Sequence, residues 1–125
     1  MDLLIQNAIV DKESRDVLVH DGRFARIENT IAVDELPSRP QILDAAGMAL
    51  LPSFANVHCH SAMVLMRGLG DDSPLHEWLN DVIWPMERRL TPDHVYWGTL
   101  FGALEMVRSG ITAGFDMYWH TPQCF

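Results

Sequence analysis

Lysine is nearly absent from this chain. Lys12 is the only one in 125 residues, and with the arginines it makes nine basic residues against seventeen acidic ones, a formal net charge of −8. No basic stripe is available to neutralise phosphates or anionic lipid, so neither nucleic acid nor a membrane surface is expected as a partner. Cysteine is also scarce. Cys59 and Cys124 lie far apart without CxxC spacing, which indicates neither a disulfide framework nor a thiolate metal cage and predicts two buried thiols. No apolar run approaches the roughly 20 residues of a membrane span. The opening Met1-Asp2-Leu3-Leu4-Ile5-Gln6-Asn7 lacks the basic stretch of a secretion signal, and a cytoplasmic location is the expectation. A phosphate-binding glycine loop, a serine nucleophile elbow and a Cys-His protease signature are all missing. Apolar residues are plentiful at 48%, against 21% charged, so a folded, soluble chain is expected.

Residues 1–50 read as short strands separated by turns. Asp2 to Val10 is apolar on both alternating sets of positions, as in a strand covered on two faces. A polar break spans Asp11 to Asp16. Val17-Leu18-Val19-His20 and Arg23-Phe24-Ala25-Arg26-Ile27 flank Asp21-Gly22, a pair suited to the positive φ angles of a two-residue hairpin turn. Asn29 to Arg39 reads as a surface loop, and strand character resumes at Gln41–Asp44 and Met48–Leu51. A small antiparallel β module is the expectation.

Residues 51–125 change rhythm to strand, helix, helix, strand. Phe54 to His60 suits a buried strand. Ser73 as N-cap and Pro74 in the first turn open a helix whose Leu75, Trp78, Leu79, Val82 and Ile83 share one face. Its predicted end is Trp84-Pro85, because the residue before proline is pushed out of the α region. Thr91-Pro92-Asp93 starts a second helix, with Tyr96, Leu100, Ala103, Leu104 and Val107 at helical spacing and Ser109-Gly110 as its C-cap. Gly98 and Gly102 lie on one stripe and would admit another backbone closely. Ile111 to Trp119 then reads as a second buried strand. Strand, helical crossover, strand is the unit of a parallel sheet or a (β/α)8 barrel, so the fold class is α/β.

His58-Cys59-His60 is the first candidate for chemistry. On a strand the two imidazoles share a face with their Cα atoms about 6.5–7 Å apart, from which both rings can converge on one metal ion. The alternative is a pair of satisfied core histidines. The position favours ligation, since the carboxyl end of a strand is where α/β folds place their sites. Glu87 follows Trp84-Pro85-Met86; its carboxylate either accepts hydrogen bonds from a pair of substrate hydroxyls or sits at the surface paired with Arg88 or Arg89. Asp116, ending the second strand, either orients a metal-bound histidine from behind or caps a loop. His120 could face the same mouth or lie in an exposed loop, while His20, His76 and His94 read as surface residues. Trp78, Trp84, Tyr96, Trp97 and Phe101 suit core packing, with Trp84 near enough to Glu87 in sequence to line a pocket.

The run Leu50-Leu51-Pro52-Ser53-Phe54-Ala55-Asn56-Val57-His58-Cys59-His60, after the Asp21-Gly22-Arg23 hairpin and Asp44-Ala45-Ala46-Gly47, resembles the opening of the amidohydrolase superfamily. Met66-Arg67-Gly68-Leu69, Leu75-His76-Glu77-Trp78-Leu79, Trp84-Pro85-Met86-Glu87, the run from Leu104 to Thr112 and Phe115-Asp116-Met117-Tyr118 extend the likeness. They are similar to the branch that holds the 5′-methylthioadenosine/S-adenosylhomocysteine deaminases and related aminohydrolases and chlorohydrolases. The resemblance implies an incomplete (β/α)8 barrel over residues 51–125, preceded by part of a flanking antiparallel β-sandwich in residues 1–50. It implies that His58 and His60 are ligands of one divalent metal ion, usually zinc. It implies that Glu87 binds ribose hydroxyls, and that the reaction is hydrolytic deamination of adenosine-type nucleosides, small-molecule substrates whose amino group leaves as ammonia.

Two departures stand out. Ser53 occupies a place where the family commonly has glycine, which calls for a modest backbone adjustment. The other is length, since a (β/α)8 barrel takes roughly 250 residues. The family's remaining metal ligands and acid/base residues are expected beyond the chain end, so no catalytic residue is assigned within these 125. Completion of the barrel then falls to further carboxyl-terminal sequence or to an oligomeric partner, and the isolated 125 residues are expected to be inactive. Within the branch, a chlorohydrolase or free-base deaminase is the neighbouring alternative. A non-catalytic metal-binding or assembly module is the alternative outside it.

Overall fold

The computed structural model describes residues 2–119. His120 and Cys124 lie outside the described residues. The chain divides into two compact units, Met1–Pro52 and Ser53–Phe125.

The first unit is a four-stranded sheet of β1 (Leu3–Val10), β2 (Glu13–His20), β3 (Arg23–Glu28) and β4 (Gln41–Asp44), in the order β3-β2-β1-β4. The expected hairpin forms at Asp21 and Gly22, whose φ angles are 49° and 72°. A second turn of the same kind, Asp11 and Lys12 at 49° and 74°, shortens the expected polar break to two residues. Both residues in the left-handed region match the twist of the flanking strands, so β2 can start at Glu13.

The expectation of an antiparallel module holds for β1, β2 and β3 but not for β4, which pairs parallel to β1 with Leu4 opposite Ile42. A parallel neighbour needs a crossover of a dozen or so residues. The Asn29–Pro40 connection, with a 3-10 turn at Val33–Glu35, supplies it. Of the strand expected at Met48–Leu51, a single bridge from Ala49 to Ile9 forms.

β1 is covered on both faces, as its sequence suggested. Leu4 packs with Leu18 and Ile31 on one side, and Ile5 and Ala8 pack with Val17 and Ala45 on the other. Between them β1 carries a bulge at which Asn7 adopts φ 61°. The Asp16 carboxylate, 3% exposed, accepts the backbone N–H of Asn7 and that of Ile31, each at 2.9 Å. Those two donors would otherwise be left without a ladder partner.

The second unit contains β5 (Phe54–Cys59), a 3-10 turn (Ser61–Met66), α1 (Leu75–Glu77), a π-helical stretch (Trp78–Ile83), α2 (Trp84–Glu87), α3 (Pro92–Arg108) and β6 (Ile111–Asp116). β5 and β6 pair in parallel, with α3 as part of the crossover. Ser53 needs no left-handed backbone, and its hydroxyl meets that of Thr112 at 2.5 Å.

Several expectations are corrected here. The first helix starts at Leu75 with Pro74 as its N-cap, at ψ 147°, so Ser73 caps nothing. Nor does it stop before Pro85, since Trp84 keeps φ −62° and ψ −38° and the chain stays helical to Glu87. The π-helical turns supply the wider spacing, with the Trp84 N–H reaching back to the Leu79 carbonyl, that a ring lacking an N–H otherwise disrupts.

β6 ends at Asp116, short of Trp119, and neither strand is buried. Phe54 and Phe115 are each 64% exposed and Val57 76%, because a sheet of two strands has a face that α3 does not reach. The α3 residues Leu100, Leu104 and Val107 are likewise exposed, and so are Tyr96, Trp97 and Phe101, which the sequence read as core packing. Val95, Gly98 and Gly102 are the buried positions of α3. A Cβ built at Gly98 would lie 2.7 Å from the Ala62 carbonyl oxygen, and one at Gly102 would lie 2.9 Å from that of Ser61. The expected close backbone approach is therefore real. Thr91 caps α3 as expected, in a capping box closed by His94, whose ring nitrogen accepts the Thr91 N–H at 3.1 Å. Gly110 ends the helix at φ 77°. Among the described residues no helix is long and apolar enough to cross a membrane.

Candidate active site

The parallel pairing of β5 and β6 puts their carboxyl ends side by side, with Cys59 opposite Asp116 and the Met117 N–H donating to the Cys59 carbonyl at 2.9 Å. His58, the last but one residue of β5, is exposed. His60 lies just past the strand end, half-buried, with φ −132° and ψ 72° as the chain enters the 3-10 turn. The two rings face each other edge to plane with centroids 5.2 Å apart. Cys59, between them, directs its thiol toward β6, where Sγ donates to the Phe115 carbonyl at 3.3 Å. This is the arrangement expected from strand alternation. Cys59 is half-buried rather than fully buried.

Asp116 does not hydrogen-bond to either imidazole. One carboxylate oxygen accepts the Ser61 N–H at 3.1 Å and the other accepts the Tyr118 N–H at 3.0 Å. Of the two readings open in the sequence, the loop cap is the contact made. The loop it caps begins at the residue after His60.

Glu87 closes α2 and is buried, 8% exposed. Among the described residues no ion pair joins it to Arg88 or Arg89, so the surface reading of this residue fails. It lines two adjoining cavities. One, of about 320 Å³, is shared with His60, Trp78, Trp84, Tyr118 and Trp119. The other, of about 440 Å³, is bounded by Trp84, Arg88, Leu90 and Trp119. The sequence placed Trp84 at a pocket but read Trp78 as core and gave Trp119 no role. The Trp78 indole is fixed by its N–H to the Leu69 carbonyl at 2.7 Å. Met117, Tyr118 and Trp119 all line the cavity just past the end of β6, and strand alternation gave no signal for them.

A charged pair braces the turn that follows the histidines. Arg67 bonds Glu105 of α3 with both guanidinium nitrogens, and this contact holds the Glu105 carboxyl below its usual range and the Arg67 guanidinium above its own. Among the described residues, the ligating groups around His58 and His60 stop at two. Among the described residues the one cluster of three lies elsewhere, at the half-buried Asp2 and the exposed His20 and Asp21.

Residues 49–125 match the Amidohydrolase family. The chain belongs to that family. Among its relatives, a 5-methylthioadenosine/S-adenosylhomocysteine deaminase from Thermococcus kodakarensis is 44% identical over 96% of this chain and 29% of its own length. A 5′-deoxyadenosine deaminase from Methanocaldococcus jannaschii is 41% identical over 94% of this chain and 27% of its own. Among solved structures, an adenosine deaminase from Xanthomonas campestris with bound zinc superposes with a TM-score of 0.81 at 30% identity, covering 98% of this chain and 30% of that one. A triazine hydrolase variant superposes at 0.71 with 21% identity, a likeness of fold. The chain thus spans somewhat under a third of the length of these amidohydrolase relatives.

Proposed function

We propose that this chain forms the first part of a metal-dependent hydrolytic deaminase of adenosine-type nucleosides, contributing two metal ligands and a contact to the sugar. The observation that carries the reading is the cavity of about 320 Å³ onto which both His60 and Glu87 open. The names of the 44% and 41% identical relatives support the substrate class.

The donor set fits a borderline divalent ion such as zinc, because imidazole is a preferred ligand and the two rings lie close enough to reach one centre. His58 and His60 would hold it, each as a neutral imidazole. Zinc held there would supply a water acidified for attack on the ring carbon that bears the amino group.

The rest of the work assigned to this chain is binding and orientation. Glu87, unpaired by any cation among the described residues, accepts hydrogen bonds from two neighbouring sugar hydroxyls, for which a bidentate carboxylate is suited. Trp84 and Trp119 line both cavities beside the carboxylate. Glu87 itself is buried, and a carboxylate so placed makes stronger hydrogen bonds than one in water. Acid and base groups are not assigned within these residues.

In this proposal residues 51–125 open a (β/α)8 barrel, and residues 1–50 form part of a flanking β-sandwich. The bare faces of β5, β6 and α3 support completion by further sequence or by a partner chain, since apolar surface of that extent is seldom left in water. The test is ammonia release from adenosine, 5′-methylthioadenosine and S-adenosylhomocysteine by the protein as its gene encodes it, before and after chelation. Chelator-sensitive release with at least one of them is the expected result. No release from any nucleoside by the zinc-loaded protein would overturn the assignment.

A further inference from the structure

Three separate contacts converge on the two residues that follow His60. The Ser61 N–H is held by Asp116 at 3.1 Å. The Ser61 and Ala62 carbonyls lie against the backbone of α3, where Cβ atoms at Gly102 and Gly98 would stand 2.9 and 2.7 Å from their oxygens. No real Cβ tolerates such distances, and backbone yields less readily than a side chain. Ser61 and Ala62 are buried, as are Gly98 and Gly102. The turn is therefore gripped on its donor side by the end of β6 and on its acceptor side by α3.

We propose that Asp116, Gly98 and Gly102 are positioning residues that act through this turn, fixing the direction of the His60 imidazole relative to that of His58. The proposal rests on the metal reading above and deepens it. His60 lies outside β5, so the strand ladder that fixes His58 does not fix it. With ligands spaced by only one residue, a rotation of the backbone after His60 changes whether its ring meets the same ion as His58. Groups that orient a ligand from behind govern affinity for the metal as well as local order.

Zinc and cobalt(II) affinities, and the cobalt absorption spectrum, are to be measured on the intact protein as its gene encodes it. The variants are Asp116→Asn, which keeps the shape but loses one acceptor, and Gly102→Ala. Gly114→Ala is the control, because a Cβ there meets only the flexible Met106 side chain, at 3.7 Å, and Cys59 Sγ, at 4.0 Å. The expected result is a roughly 10–100-fold weaker zinc affinity for both variants and an altered cobalt spectrum, with circular dichroism of the metal-free protein unchanged and Gly114→Ala like wild type. A purely structural role would lower the metal-free melting temperature and leave affinity and spectrum alone, and that outcome overturns the proposal. If Gly102→Ala fails to fold, Asp116→Asn decides by the same two readouts. Failure of the wild-type protein to bind either metal would overturn the ligand reading of His58 and His60 itself, and this inference with it.

Discussion

The guanidinium of Arg67 grips the Glu105 carboxylate through two parallel hydrogen bonds, of 3.1 and 2.6 Å. The pair ties the segment leaving the histidine turn to the fourth turn of α3, on the side of the helix that the two glycines press against that turn. Both side chains keep contact with water, at 65% and 39% exposed, so its contribution to stability is screened and small. Its clearer signature is titration.

Acid should loosen the fold through four such carboxylates. The hydrogen bond from Arg67 lowers Glu105, that from Arg26 lowers Glu28, those from Asn7 and the Ala46 N–H lower Asp44, and those from Ser38 and His20 lower Asp2. A folded-state pKa below the unfolded one gives stability that is complete above the ordinary values, 3.8 for Asp and 4.5 for Glu. It is lost as pH falls through the lower folded values. Urea midpoints of the intact protein should hold steady from pH 7 to about 5 and fall below about 4. Glu105→Gln should flatten part of that slope, and an unchanged slope in this variant would separate Glu105 from the effect.

Asp16 is a second point of weakness. Removing its carboxylate leaves the buried Ile31 amide and the part-buried Asn7 amide without acceptors. Asp16→Ala should cost roughly 2–4 kcal/mol, on the scale of one to two orphaned donors. Denaturant unfolding of the intact protein measures it. A loss below about 0.5 kcal/mol would mean that water replaces the carboxylate.

Glu87→Ala should separate substrates rather than abolish chemistry. In the intact protein kcat/KM for nucleosides is expected to fall on the order of 100-fold, the size of one or two lost charged hydrogen bonds. Free purine bases, which lack the hydroxyls, should be affected far less. Equal losses on both substrate types would remove Glu87 from sugar binding.

Metal dependence should track the histidines. His58→Ala and His60→Ala in the intact protein are each expected to abolish stoichiometric zinc by elemental analysis. The isolated 125 residues should show no substantial deamination even with zinc added, since two imidazoles leave half of a tetrahedral shell unfilled. Turnover by homogeneous 125-residue material would contradict this.

The hairpin at Asp21-Gly22, the Thr91 cap, the Gly98 and Gly102 approach and the pairing of His58 with His60 were all legible in the sequence. The hairpin, the cap and the histidine pair depend on neighbours within a few residues, where turn chemistry and strand alternation decide, and the glycines showed by their spacing that a backbone could come close without saying which one. The parallel placement of β4 was not legible, because it is set by a crossover whose destination is a strand 30-odd residues earlier. For Glu87 the residues alone left a substrate contact and a surface ion pair both open, for a similar reason. Local rules end the helix at Trp84-Pro85, and only the packing of the whole segment favours the π-helical turns that carry it through. The apolar stripe of α3 was legible as a stripe, while Tyr96, Trp97 and Phe101, read as core packing, stand exposed in this chain, since periodicity reveals a sticky face without saying what lies against it.

Those π-helical turns give the segment slack toward deletion and none toward insertion. Each backbone bond there spans one residue more than an α-helical one, so losing a residue between Trp78 and Ile83 would be absorbed by a return to α-helical bonding. An added residue would instead turn the later side chains by about 100° and carry Glu87 away from its cavity. The aim of Glu87 therefore tolerates a codon lost upstream better than one gained.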